Sequence, residues 1–118
     1  NQNTIGIGSL KVLQQISENH LVGLCNIITC NSAQITGSTI SLIESFDGGF
    51  SWSIKKNKLI APTFEENSWK KAYVYGYDFI NYDSNHLLMY YNARNNWLKG
   101  VETIGVSLIS KDILLLEN

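Results

Sequence analysis

Proline is almost missing from this chain, with Pro62 its single instance, and methionine occurs once, at Met89. Charge is scarce too. Asp, Glu, Lys and Arg make up 16% of the 118 residues, against a usual share of roughly 25%. A formal net charge of -1 leaves no basic field for nucleic acid and no acidic field for cationic partners. The two cysteines, Cys25 and Cys30, lie in one apolar run. If that run is a strand they stand about 16 Å apart, so they are not expected to pair. Without His or Cys neighbours at ligand spacing they read as small buried hydrophobes, not zinc ligands. No run approaches the roughly 20 apolar residues of a membrane-spanning helix. No secretory signal pattern is visible, and the sequence assigns no compartment. Phosphate-cradling glycine loops, a Ser-His-Asp order and metal-ligand clusters are also missing. Gly6 and Gly8 lack the flanks of a nucleotide loop, so no cofactor is expected. Asn1 as first residue and a sole methionine at 89 fit a removed start or an internal piece of a longer chain.

Hydrophobic residues are plentiful, at 44%, which suits a packed core and argues against disorder. The length corresponds to one domain or part of one, at roughly 100–150 residues per domain. Alternation favours strands: Tyr73, Tyr75, Tyr77 and Phe79 are expected on one face, with Val74, Asp78 and Ile80 on the other.

The chain repeats itself. Asn19-His20-Leu21-Val22-Gly23-Leu24-Cys25-Asn26 aligns with Asn85-His86-Leu87-Leu88-Met89-Tyr90-Tyr91-Asn92 at an offset of 66 residues. Ser38 to Asp47 runs beside Thr103 to Asp112 at an offset of 65. Strands in the first copy are expected near Ile7–Ile16, His20–Thr29, Thr39–Phe46 and Trp52–Lys55. In the second they fall near Tyr73–Asn81, His86–Asn92, Thr103–Ile109 and Ile113–Leu116. Ala61–Lys71, which holds Pro62, connects the copies. A repeated set of strands and turns is the signature of a propeller, although this period exceeds the roughly 40–50 residues of common blades.

The most specific stretch is Ser45-Phe46-Asp47-Gly48-Gly49-Phe50-Ser51-Trp52. Its spacing, Ser-x-Asp-x-Gly-x-Ser-Trp, suits a tight hairpin. Asp47 can bond neighbouring backbone N–H groups, Gly49 can take a positive φ, and Trp52 can cover the turn. Ser110-Lys111-Asp112 keeps the start of this motif and then loses the glycine and tryptophan.

The octapeptide resembles the Asp-box, or BNR repeat, of sialidase-type glycan-processing β-propellers, with Ser45, Asp47, Gly49, Ser51 and Trp52 at its defined positions. From Ser45 to Ile109 the chain also resembles the five-bladed propellers of arabinanase- and fructosidase-like glycoside hydrolases. The residues concerned are Ser45-Phe46-Asp47-Gly48 with Trp52, Pro62, Tyr77-Asp78-Phe79-Ile80, Met89-Tyr90-Tyr91-Asn92-Ala93-Arg94 and Ile104-Gly105-Val106-Ser107. The resemblance implies an all-β fold of antiparallel four-stranded β-propeller blades, about two of them. They would form a single partial domain over 1–118, with blade-like repeats near 1–60 and 72–118 and a connection over 61–71. It also implies a carbohydrate-associated module, a fragment or degenerate relative of a glycoside hydrolase. The alternative is a non-catalytic module for protein interaction or self-assembly, because two blades leave open edges that a homo-oligomer could cover.

In those hydrolases carboxylates on innermost strands act on the glycosidic bond, about 5–5.5 Å apart for retention and 6.5–9.5 Å for inversion. Asp78 is the one residue at a matching position, with Val12 as its counterpart in the first copy, so the chain alone lacks a complete catalytic set. Asp78 is thus the catalytic candidate, or a carboxylate tied structurally to backbone or Arg94. Tyr77, Arg94, Trp97 and Glu102 are the candidates for holding a sugar, since aromatic faces stack on apolar ring faces while Arg and Glu bond hydroxyls. An Arg94–Glu102 ion pair bracing a hairpin is the plainer reading of those two. His20 and His86, at equivalent positions, read as fold residues.

Overall fold

The computed structural model describes residues 2–63, 68–70, 72–97 and 99–115. The described residues are all-β and form seven strands. These are β1 (Gln2–Gln15), β2 (Leu21–Asn31), β3 (Thr36–Ser45), β4 (Ser53–Ile60), β5 (Tyr73–Asn81), β6 (His86–Arg94) and β7 (Glu102–Ser110), followed by a 3₁₀ helix over Lys111–Leu115. Strands β1 to β4 form one antiparallel meander, and β5 to β7 form a second. The parallel pair Ser38–Tyr73 links the two, giving the open order β1-β2-β3-β5-β6-β7 with β4 beside β3. Residues 64–67 and Lys71 of the expected connection lie outside the described residues.

Strand β3 reads Thr-Gly-Ser-Thr-Ile-Ser-Leu-Ile-Glu-Ser, rich in the β-branched residues that suit a pleated surface. It is buried from Gly37 to Ser45, because β2 and β4 flank it and the second meander covers one of its faces. Val22, Leu24, Ile40 and Leu42 of the first meander pack on Val74, Leu87, Met89, Tyr91 and Ala93 of the second, with Ile60 and Tyr77 in the same core. Each fully buried Leu or Ile there contributes about 1.5–3 kcal/mol. Cys25, Ile27 and Ile43 form a smaller cluster with Trp52, on the opposite face of the first meander. Cys25 and Cys30 are both free thiols.

Polar contacts fasten the two meanders together. The buried Asn26 amide donates to Val74 O at 3.2 Å and Thr39 O at 3.3 Å, and accepts from Gly76 N at 3.4 Å. Ser38 Oγ donates to the same Val74 carbonyl at 2.7 Å.

Four expectations need correction. In β5, Tyr75 pairs with Asn92 and Asp78 with Tyr90, so Gly76 and Tyr77 together stand opposite Tyr91. This bulge, with Gly76 at φ 56, breaks the alternation. Tyr73 and Tyr75 therefore share a face with Asp78 and Ile80, while Val74 and Phe79 share the other. Strand β1 carries the same bulge: Gly8 pairs with Asn26 and Lys11 with Leu24, and Ser9 adopts φ 56. Asp78 accordingly corresponds to Lys11, not Val12. The pairings Leu24–Leu42 and Tyr90–Val106 set the β3-to-β7 offset at 64, and a slip of one residue exchanges the faces of a strand. Finally, the strand expected over Ile113–Leu116 is replaced by the 3₁₀ helix as far as Leu115, and Leu116 lies outside the described residues. Lys111 N donates to Asn85 O at 2.8 Å and Asp112 N to Ser110 Oγ at 3.2 Å. With no glycine to supply a positive φ, the chain curls there, and Ile113 reaches the core.

The turn between β3 and β4 has both glycines in the left-handed region, Gly48 at φ 78 and Gly49 at φ 99. Asp47 accepts from Ser51 N at 2.9 Å, Ser51 Oγ at 2.6 Å and Ser45 Oγ at 2.8 Å. Trp52 Nε1 closes the loop on Gly49 O at 3.0 Å. The Ser51 hydroxyl, then the Ser51 N–H and the Ser45 hydroxyl, lower the Asp47 pKa to about 2. Because the folded value lies below the unfolded one of roughly 3.9, the ionised form supports folding above about pH 4. That support fades as pH falls through about 2. The stability difference between wild type and Asp47→Asn is thus expected to be constant above pH 5 and to shrink between pH 4 and 2. Thermal melts across that range check this; a pH-independent difference contradicts it.

Candidate functional site

A cleft of about 390 Å³ opens where the first meander meets β5. Gly8 and Ser9 of β1, Asn26 and Ile28 of β2 and Ser38 of β3 line one side; Tyr73, Tyr75 and Gly76 of β5 and Arg94 of β6 line the other. The two bulges make this space, since each turns its strand at Ser9 or Gly76. The contacts that fix the meanders also fix the walls. Tyr73 OH lies 2.6 Å from Thr36 Oγ1, while Asn26 and Ser38 are held on β5 as described above.

The sequence candidates divide between this cleft and elsewhere. Arg94 lines it, and its Nε stands 3.5 Å from Glu102 Oε2. Glu102 also accepts from the Tyr75 hydroxyl, so it supports two lining residues from the neighbouring strand. Burial and then the bond to Glu102 raise the Tyr75 pKa, keeping it a neutral hydroxyl. Trp97 sits apart from the lining, with its Nε1 donating to Thr36 O at 2.8 Å across the meanders. Tyr77 is only 4% exposed and its hydroxyl donates to Ser9 O, so its ring belongs to the core. Burial raises its pKa.

Asp78 lies outside the lining. Its side chain is 77% exposed and pairs with Lys11 Nζ at 3.3 Å. The Phe79 N–H, 2.8 Å away, and then Lys11 lower its pKa. A carboxylate held ionised in this way suits neither proton donation nor, alone, the two-carboxylate chemistry of glycoside hydrolysis.

Sequence reasoning overlooked Ser9, Asn26 and Ser38 as lining residues, whereas Tyr73 and Tyr75 belong to the aromatic series that the sequence offers for a carbohydrate cleft. Asn26 and Asn92, polar at equivalent places in two apolar strands, were the available signal. It also overlooked a buried cluster around Glu44, whose Oε2 lies 3.1 Å from His20 Nε2 and 3.4 Å from Lys55 Nζ. Phe46 stacks on His20 with ring centroids 4.4 Å apart. His86 differs, lying 3.0 Å from Asp83 on the surface. Among the described residues no three His, Cys, Asp or Glu side chains group to hold a metal ion, and no helix is long and apolar enough to cross a membrane. No family model, curated protein or solved structure matches the chain.

Proposed function

We propose that the two meanders are neighbouring blades of a β-propeller-type module, a degenerate relative of glycan-processing propellers, and that the cleft between them binds carbohydrate without cleaving it. The observation that carries this reading is the lining itself. Tyr73 and Tyr75 offer aromatic surface, Asn26, Ser38 and Ser9 offer amide and hydroxyl groups, and Arg94 adds a charged donor. That mixture is what a sugar requires, an apolar ring face to stack and hydroxyls to bond. The volume sits at the small end of the roughly 300–1,000 Å³ of ligand pockets, which suits a mono- or disaccharide. The hydrogen-bonded Ser45–Trp52 turn and its match to the Asp-box support the blade reading independently.

Binding is preferred over hydrolysis because Asp78 is neither in the lining nor poised as an acid. A calorimetric screen of neutral and acidic sugars is expected to find a ligand that Tyr75→Ala binds about fivefold more weakly, as loss of one stacking ring should cost roughly 1 kcal/mol. Asp78→Asn should bind like wild type. A loss on Asp78→Asn with none on Tyr75→Ala would sink the assignment.

A further inference from the structure

We propose that copies of this chain associate head to tail, the outward face of the second meander in one copy receiving the outward face of the first meander in the next. This does not rest on the carbohydrate reading. Its basis is the equivalence of the two meanders in their hydrogen-bond register. The pairs Gly8–Asn26, Lys11–Leu24 and Leu24–Leu42 correspond to Tyr75–Asn92, Asp78–Tyr90 and Tyr90–Val106.

That correspondence identifies the faces. Leu24, Ile40 and Leu42, which the first meander buries against the second, correspond to Tyr90, Ile104 and Val106. These point outward from the second meander, and Ile104 is 73% exposed. Conversely, the buried Met89 and Tyr91 of the second meander correspond to Gly23 and Cys25, on the outward face of the first. There Ile7 is 68% exposed and Ile54 is also exposed, beside a depression of about 400 Å³ lined in part by Thr4, Ile27, Thr39 and Ile54. Cys25, Ile27 and Ile43 of that face are already covered within the chain, so it is the exposed parts of the two outward faces that correspond to the two halves of an interface the chain already contains. They differ from each other, so the complementary contact is heterologous, which closes into rings or runs on as filaments.

Two polar features select the same partner. Asn26 crosses the internal interface to Val74 O and Gly76 N. Asn92 holds the same register on the free face, and β1 of a second copy offers the matching Ile7 carbonyl and Ser9 N–H, with Ser9 sharing the φ 56 of Gly76. Lys11 and Asp78 occupy equivalent positions with opposite charge and pair within the chain. Head-to-tail stacking sets Asp78 toward Lys11 of the next copy, so charges alternate along the stack. Roughly two to four copies would close a ring, because propellers carry about four to eight blades.

Sedimentation velocity on the full chain tests this with two variants, Ile104→Lys with Val106→Lys on one face, and Ile7→Lys with Ile54→Lys on the other. All four positions are exposed, and circular dichroism checks folding. If a lysine pair fails to fold, serine at the same two positions replaces it and is read the same way. The expected result is association of wild type, a monomer for each variant alone, and a one-to-one dimer that grows no further when the variants are mixed. A monomeric wild type at the highest soluble concentration would overturn the proposal. So would association of either variant alone, or a mixture that stays monomeric.

Discussion

Glu44→Leu is expected to cost about 3–5 kcal/mol of folding stability, the typical loss when one partner of a buried ion pair is removed. Lys55 is the reason. Its side chain is only 3% exposed and its ammonium lies 3.4 Å from Glu44 Oε2, so truncating the carboxylate strands a buried cation. His20, 3.1 Å from the same oxygen, loses its anchor too. That ring, stacked on Phe46, ties the turn between β1 and β2 to the end of β3. Urea titration of the single variant measures the loss. The double variant Glu44→Leu with Lys55→Met separates its causes: replacing both charges by apolar groups should recover most of the stability. If the double variant is as unstable as the single, the stranded charge is not the cause.

Tyr77→Ala ranks beside it, with an expected loss of about 3–5 kcal/mol, as for other large buried aromatics. Tyr77→Phe should cost about 1 kcal/mol. The ring is buried within the core shared by both meanders, whereas the hydroxyl contributes one bond, to Ser9 O. Those magnitudes, set against a total of roughly 5–15 kcal/mol for a domain, mean the alanine variant is near unfolding and the phenylalanine variant is not. Equal losses would assign the effect to the hydroxyl. Neither variant should change sugar binding except through unfolding, because the ring does not line the cleft.

The same residue shows where sequence reading succeeds and fails. Strand β5 was legible to its ends, since Tyr73 to Asn81 is a run of aromatic and β-branched residues between a turn and a connection. Its faces were not. Gly76 inserts one extra residue, and every side chain after it changes sides, which moved Tyr77 from the expected aromatic face into the core. The matching bulge at Ser9 was invisible, because a serine does not announce a positive φ. The Ser45–Trp52 turn was legible because its bonds are local, within four residues of each other. Asn26 reaches Val74 and Gly76 some 50 residues away, and nothing in its neighbourhood specifies that contact. For the same reason the cleft could not be read in advance: its two walls come from different copies of the repeat.

The cleft between the two meanders is proposed above as the binding surface of this module. Amide chemical shifts, followed by NMR while the sugar found in the calorimetric screen is titrated into the full chain, test it most directly. The predicted result is a set of shifts concentrated at Ser9, Asn26, Ser38, Tyr75 and Gly76, with little change at Asp78 or Trp97. Shifts centred on Asp78, or spread without regard to the cleft, would contradict it.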